Sequence, residues 1–172
     1  MKSIFDTWAP WLARRAENVA VMMLAALFLA FLIQIAFRYL FNLPIGWTHE
    51  ISVILWLWLV LWGAAFVLTE REEIRFDLLH AAVGRRARRT MGVVTALAVV
   101  VLYGTALPAM VDYVSFMKVE RTAYMKLPFS WVYAIYIVFA VAAIIRYLWL
   151  GFAALRGDEP EDHDPTKLGS GI

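Results

Sequence analysis

The 172-residue sequence has no cysteine, only three histidines and few charges. Without cysteine there are neither disulfides nor thiolate chemistry, and the redox compartment stays open. His49, His80 and His163 all fall outside the long apolar runs, which excludes a bis-histidine haem held between membrane helices. No GxGxxG, P-loop or HExxH pattern occurs. Lys and Arg total 16 and Asp and Glu total 14, an excess too small to point to nucleic acid. The apolar runs hold no Asp or Glu, so they lack the acids of a proton relay. There is no internal repeat of the kind that builds a self-contained secondary transporter. Neither a catalytic residue nor a cofactor or metal site is expected.

What fills the chain is apolar surface. Hydrophobic residues make up 63% of it and charged ones 17%, against about half and a quarter in soluble domains. Crossing a bilayer as a helix takes roughly 20 mostly apolar residues. Four stretches qualify: 19–37, 51–69, 91–111 and 127–145. Their backbone must be satisfied within the segment, and period-2 alternation is absent, so they are expected to be helices. The first has too long a core for a signal peptide, lacks a small-x-small cleavage site and runs straight into Arg38; it reads as a retained span. The expectation is therefore an all-α membrane protein with one four-helix domain over residues 1–156.

Four spans put the N-terminus, the middle loop and the C-terminus on one side. That side carries eleven Lys and Arg residues and the other carries four, Arg38, Lys118, Arg121 and Lys126. The positive-inside rule then places both termini in the cytoplasm. Residues 157–172 are acidic, rich in Pro and Gly and poor in large apolar side chains, so a disordered cytoplasmic tail is expected. In the middle loop, Ile74, Leu78, Ala81 and Ala82 recur at helical spacing, followed by an arginine cluster. This predicts a short amphipathic helix in the cytoplasmic interface, with a plain solvated connector as the alternative. At the N-terminus, Trp8 and Trp11 suit the headgroup level, and Pro10 is expected to break the chain before span one.

Certain residues stand out against this background. Arg38 ends span one and Glu50 begins span two, each complementing a helix dipole, and only eleven residues separate them. They are expected to lie close enough to pair. Thr48 is placed to cap span two. Trp47, Trp56, Trp58 and Trp62 are more than one interfacial belt needs, and Trp58 and Trp62 share a helix face. Gly63, Ala64 and Ala65 suit close helix approach. These two surfaces suggest contacts in two directions, one within the chain and one with a partner protein. Pro108 is placed to kink span three. Arg146 lies inside the last helix and is open to two readings: snorkelling to the headgroups beside Tyr147 and Trp149, or pairing with a partner subunit.

The order of these features carries a resemblance. Trp47 and Glu50 open span two, Gly63, Ala64 and Ala65 precede Arg71 near its end, and Ile74, Phe76 and Asp77 follow. Leu127, Pro128 and Tyr133 open span four. This pattern resembles the small membrane subunit, DctQ-like, of tripartite ATP-independent periplasmic (TRAP) transporters, over about residues 38–145. Glu73 departs from the histidine frequent at that position in the family. The resemblance implies a non-catalytic scaffold in the bacterial inner membrane. Its partners would be a large multi-spanning subunit, which holds the substrate and sodium sites, and a periplasmic binding protein that delivers a carboxylate such as a C4-dicarboxylate or sialic acid. On this reading Arg38, Trp47, Glu50, Trp58, Trp62, Gly63, Arg71, Asp77 and Arg146 form the partner interface or a structural polar cluster. The competing reading, from a different class, is the membrane anchor of a quinone-linked redox complex.

Overall fold

The computed structural model describes residues 4–43, 45–68 and 85–156. Arg71, Asp77, the interfacial helix expected in the middle loop and the acidic tail lie outside the described residues. Four long helices make up the fold: α1 (Ile4–Leu40), α2 (Gly46–Trp62), α3 (Arg85–Phe116) and α4 (Phe129–Arg156). A π-helical turn, Gly63–Val67, continues α2. All four are long and apolar enough to cross a membrane. At 1.5 Å per residue α1 is about 56 Å long, well beyond the roughly 30 Å of a hydrocarbon core.

Pro10 does not break α1, contrary to the sequence expectation, and falls within its second turn. As the seventh residue of the helix, it removes a single backbone hydrogen bond near the helix start. The other end of α1 closes on Asn42, whose φ of 52° is left-handed. Asparagine tolerates that region better than most residues. The Leu43 N–H then folds back to the Phe37 carbonyl at 3.1 Å.

The helices do not close into a bundle. α1 packs along α2, α3 packs along α4, and the two pairs meet where α2 lies against α4. The result is an open row in the order α1, α2, α4, α3, with α1 and α3 at its edges. Such a row buries little. The buried apolar residues among those described are Ala16, Ala30, Ala96, Val132, Ile135, Ala140 and Ala143. Of these, Ile135 alone is both large and wholly enclosed. Large side chains such as Met22, Phe28, Trp56, Leu102 and Trp131 stay uncovered along both faces.

Close helix approach occurs in the α3–α4 seam, and not at Gly63 as the sequence suggested. A Cβ on Gly151 would lie 3.1 Å from that of Ala96, and one on Gly92 would lie 3.8 Å from that of Ala154, whereas Gly63 faces open space. Toward the other end the same seam is built from rings: Tyr103 meets Phe139 edge-on at 5.8 Å, and Tyr113 meets Tyr133 at 6.1 Å. Without a hydrophobic force between helices in lipid, such fitted packing carries association. Gly151→Leu should therefore overpack the seam and lower stability by about 1–3 kcal/mol, measured as a lower melting temperature in detergent. Gly63→Ala should leave that temperature unchanged.

Candidate functional site

The most ordered polar structure sits at the end of the row where α1 joins α2 and α3 joins α4. There, residues 117–128 fold into a tight hairpin instead of a plain connector. Arg121 and Pro128 form an antiparallel bridge, the Thr122 N–H donates to the Leu127 carbonyl at 2.9 Å, and the Phe129 N–H donates to the Glu120 carbonyl at 3.0 Å. The Thr122 hydroxyl accepts from the Leu127 N–H at 3.1 Å. Lys126 turns the chain with a φ of 55°.

A hairpin tip this tight leaves backbone N–H groups pointing outward. Here they converge on Glu50. The Tyr124 N–H donates to one carboxylate oxygen at 2.7 Å and the Met125 N–H to the other at 2.9 Å. The Thr122 hydroxyl and the Ala123 N–H also turn toward this carboxylate. Successive N–H groups around a concave turn make an anion-receiving nest. The Glu50 side chain fills it and fastens the 3–4 hairpin to the start of α2.

The surroundings support the clamp. Gly46, the first residue of α2, lies beneath the Tyr124 ring, and a Cβ there would run into that ring. Thr48 is wholly buried. It does not cap α2, as the sequence suggested, because the helix has already begun at Gly46. Its hydroxyl instead donates to the Ile45 carbonyl at 2.9 Å, and its own carbonyl accepts from the Ser52 hydroxyl at 2.8 Å. Thr122 in the hairpin and Ser130 in the first turn of α4 are also buried.

Arg38 is not part of this cluster. No ion pair joins Arg38 to Glu50 among the described residues, and the arginine is exposed at the end of α1. The expected pair fails for a geometric reason. Both carboxylate oxygens of Glu50 face the 3–4 hairpin, not the loop that leads back to Arg38.

The tryptophans divide. Trp47 and Trp56 are exposed. Trp58 and Trp62 turn inward, where each indole N–H finds a backbone carbonyl on a different helix. Trp58 donates to Val132 of α4 at 3.1 Å, and Trp62 donates to Ala16 of α1 at 3.1 Å. Large rings at these positions thus tie α2 to both of its neighbours, and each of these two indole donors is satisfied within the protein. Trp58→Phe and Trp62→Phe should each lower stability by about 0.5–1.5 kcal/mol, the net worth of one such hydrogen bond, read as a melting shift of the purified chain.

Arg146 faces the π turn that continues α2. In an α-helix the Leu68 N–H would go to the Ala64 carbonyl; in the π turn it goes to Gly63 at 2.8 Å. This leaves the Ala64 carbonyl turned out of the ladder. The Arg146 guanidinium approaches that oxygen at 3.5 Å. The separation is long for a hydrogen bond, so the contact is mainly charge against carbonyl dipole. At the same end of the row, Arg89 donates to the Leu155 carbonyl, one of the last carbonyls of α4, which helix geometry leaves without a partner.

Sequence reasoning found Glu50, Trp58, Trp62 and Arg146 but not their partners. Those partners are backbone groups of Tyr124, Met125, Val132, Ala16 and Ala64, which no side-chain pattern announces. Gly46 and Lys126 offered the only local signals, a glycine directly before the Trp47 motif and a lysine ahead of Leu127 and Pro128. Among curated proteins, none matches the chain closely enough to count as a relative. The protein family described as "Tripartite ATP-independent periplasmic transporters, DctQ component" matches residues 27–156, which take in the C-terminal part of α1 and all of α2, α3 and α4. The chain therefore belongs to the DctQ component family, the small components of TRAP transporters.

Proposed function

We propose that the chain is the non-catalytic scaffold subunit of a sodium-coupled importer of organic acids, working with a large multi-spanning subunit and a periplasmic binding protein. Family membership supports the transporter assignment. The observation that carries the scaffold role is the open row of helices, which leaves large apolar and aromatic side chains on both faces. One face meets lipid and the other meets the large subunit. The charge asymmetry between the two sides supports an orientation with both termini in the cytoplasm and the Glu50-clamped hairpin in the periplasm. There the hairpin forms a rigid ledge beside which the binding protein docks.

Sodium and substrate would sit on the large subunit, carboxylates such as C4-dicarboxylates or sialic acid being the expected class. This chain contributes rigidity: α2 is fastened to the α3–α4 pair by Glu50 at one end and by Arg146 toward the other. The test is co-expression of the tagged chain with a large TRAP subunit from the same genome. The account expects both to elute together in a fixed ratio. Recovery of the tagged chain alone, with the other protein folded and in the membrane, would contradict it.

A further inference from the structure

At the hairpin end of the α2–α4 seam lies a groove of about 320 Å³, lined by Ile54, Trp58, Leu127, Pro128, Trp131 and Val132. Every lining residue is apolar. Of the two indoles that line it, Trp58 has its N–H engaged by the Val132 carbonyl. An occupant of this groove gains mainly contact area.

The rim is different. Lys126 directly precedes the lining residue Leu127, and Arg121 is bridged across the hairpin to the lining residue Pro128. The Arg121 guanidinium also donates to the Lys126 carbonyl at 3.4 Å, so both cations belong to one fixed unit. Lys126 holds a φ of 55°, a region that lysine seldom adopts. Strain of that kind persists only where surrounding structure enforces it. Two acids stand nearby. The Glu50 carboxylate is wrapped by the hairpin tip, which leaves Glu120 against Arg121, Lys126 and Lys118.

Depth completes the picture. Ile54 is eight residues below the start of α2, about 12 Å along the helix axis, and Trp131 is in the first turn of α4. An apolar slot thus opens just below a cationic rim, where hydrocarbon gives way to headgroups. We infer that the groove and its rim bind one anionic phospholipid of the leaflet at the hairpin end, with an acyl chain against Trp58 and Trp131 and the phosphate at Arg121 and Lys126. A protein side chain would fill the slot equally well but would have no use for the paired cations. This inference needs the membrane setting but not the identity of any transport partner.

The test uses the delipidated full-length chain in detergent, titrated with chain-brominated phosphatidylglycerol or chain-brominated phosphatidylcholine while tryptophan fluorescence is followed. Saturable quenching is expected with phosphatidylglycerol at roughly 30-fold lower concentration, the attraction of two cations near a charged surface. Arg121→Gln with Lys126→Gln should bring phosphatidylglycerol to the phosphatidylcholine level. Ile54→Phe, which fills the slot, should remove saturable quenching by both lipids. Should Ile54→Phe lose its helical circular dichroism, the surface pair Arg121→Gln and Lys126→Gln decides alone. Equal affinity for the two headgroups, or a preference untouched by the charge changes, would overturn the inference. So would loss of wild-type quenching when the large subunit is bound, since the groove would then be a subunit contact.

Discussion

Glu50→Gln should release the hairpin between α3 and α4. Glutamine keeps the length of the side chain but offers one acceptor oxygen where the carboxylate has two. Either the Tyr124 N–H or the Met125 N–H then faces an amide NH₂ group. Both bonds to the wild-type residue are charge-assisted and therefore stronger than neutral ones. The hairpin offers its own assay, because Arg121 and Lys126 are trypsin sites within it. Wild-type protein should resist cleavage there, and Glu50→Gln should be cut at Lys126 within the time that wild type stays whole. Glu50→Asp, one methylene too short to reach both donors, should fall between. Uptake by the assembled transporter should drop in the same order if the hairpin is the ledge proposed above. Arg38→Gln should leave the cleavage pattern unchanged. That contrast separates the clamp seen here from a Glu50–Arg38 pair, for which both variants would behave alike.

The second large effect concerns α4, where two residues four positions apart have opposite surroundings. Ile135 is wholly buried, while Trp131 is 73% exposed. Ile135→Ala should lower stability by about 2–5 kcal/mol, the usual cost of a cavity where neighbours cannot collapse. Its signature is a large drop in the melting temperature of the chain by itself. Trp131→Ala removes more atoms but should shift that temperature little, since few neighbours lose contact. If Trp131→Ala destabilised the isolated chain as strongly as Ile135→Ala, the open-row description of α4 would be wrong.

These predictions also mark where sequence reasoning stopped. Four helical spans were legible because lipid leaves the backbone so few choices. Glu50 and Arg146 were legible as charges in costly places. Their partners were not, because a carboxylate held by the N–H groups of Tyr124 and Met125 leaves no trace in side-chain identity. Reasoning from charge alone paired Glu50 with the nearest cation, Arg38. The row order was hidden for a different reason. Helices apolar on every side carry no stripe that says which side faces a neighbour. Small residues pointed to close approach at Gly63, yet it is Gly151 that meets another helix closely. The inward turn of Trp58 and Trp62 was likewise unreadable, because their acceptors are carbonyls.

On the proposed scaffold role, the chain works by holding other components. Purified protein reconstituted alone into sealed vesicles, with a sodium gradient and labelled carboxylate outside, tests this most directly. The account predicts no uptake above empty vesicles, and uptake only after the large subunit and the binding protein are added. Sodium-driven accumulation by the isolated chain would contradict it.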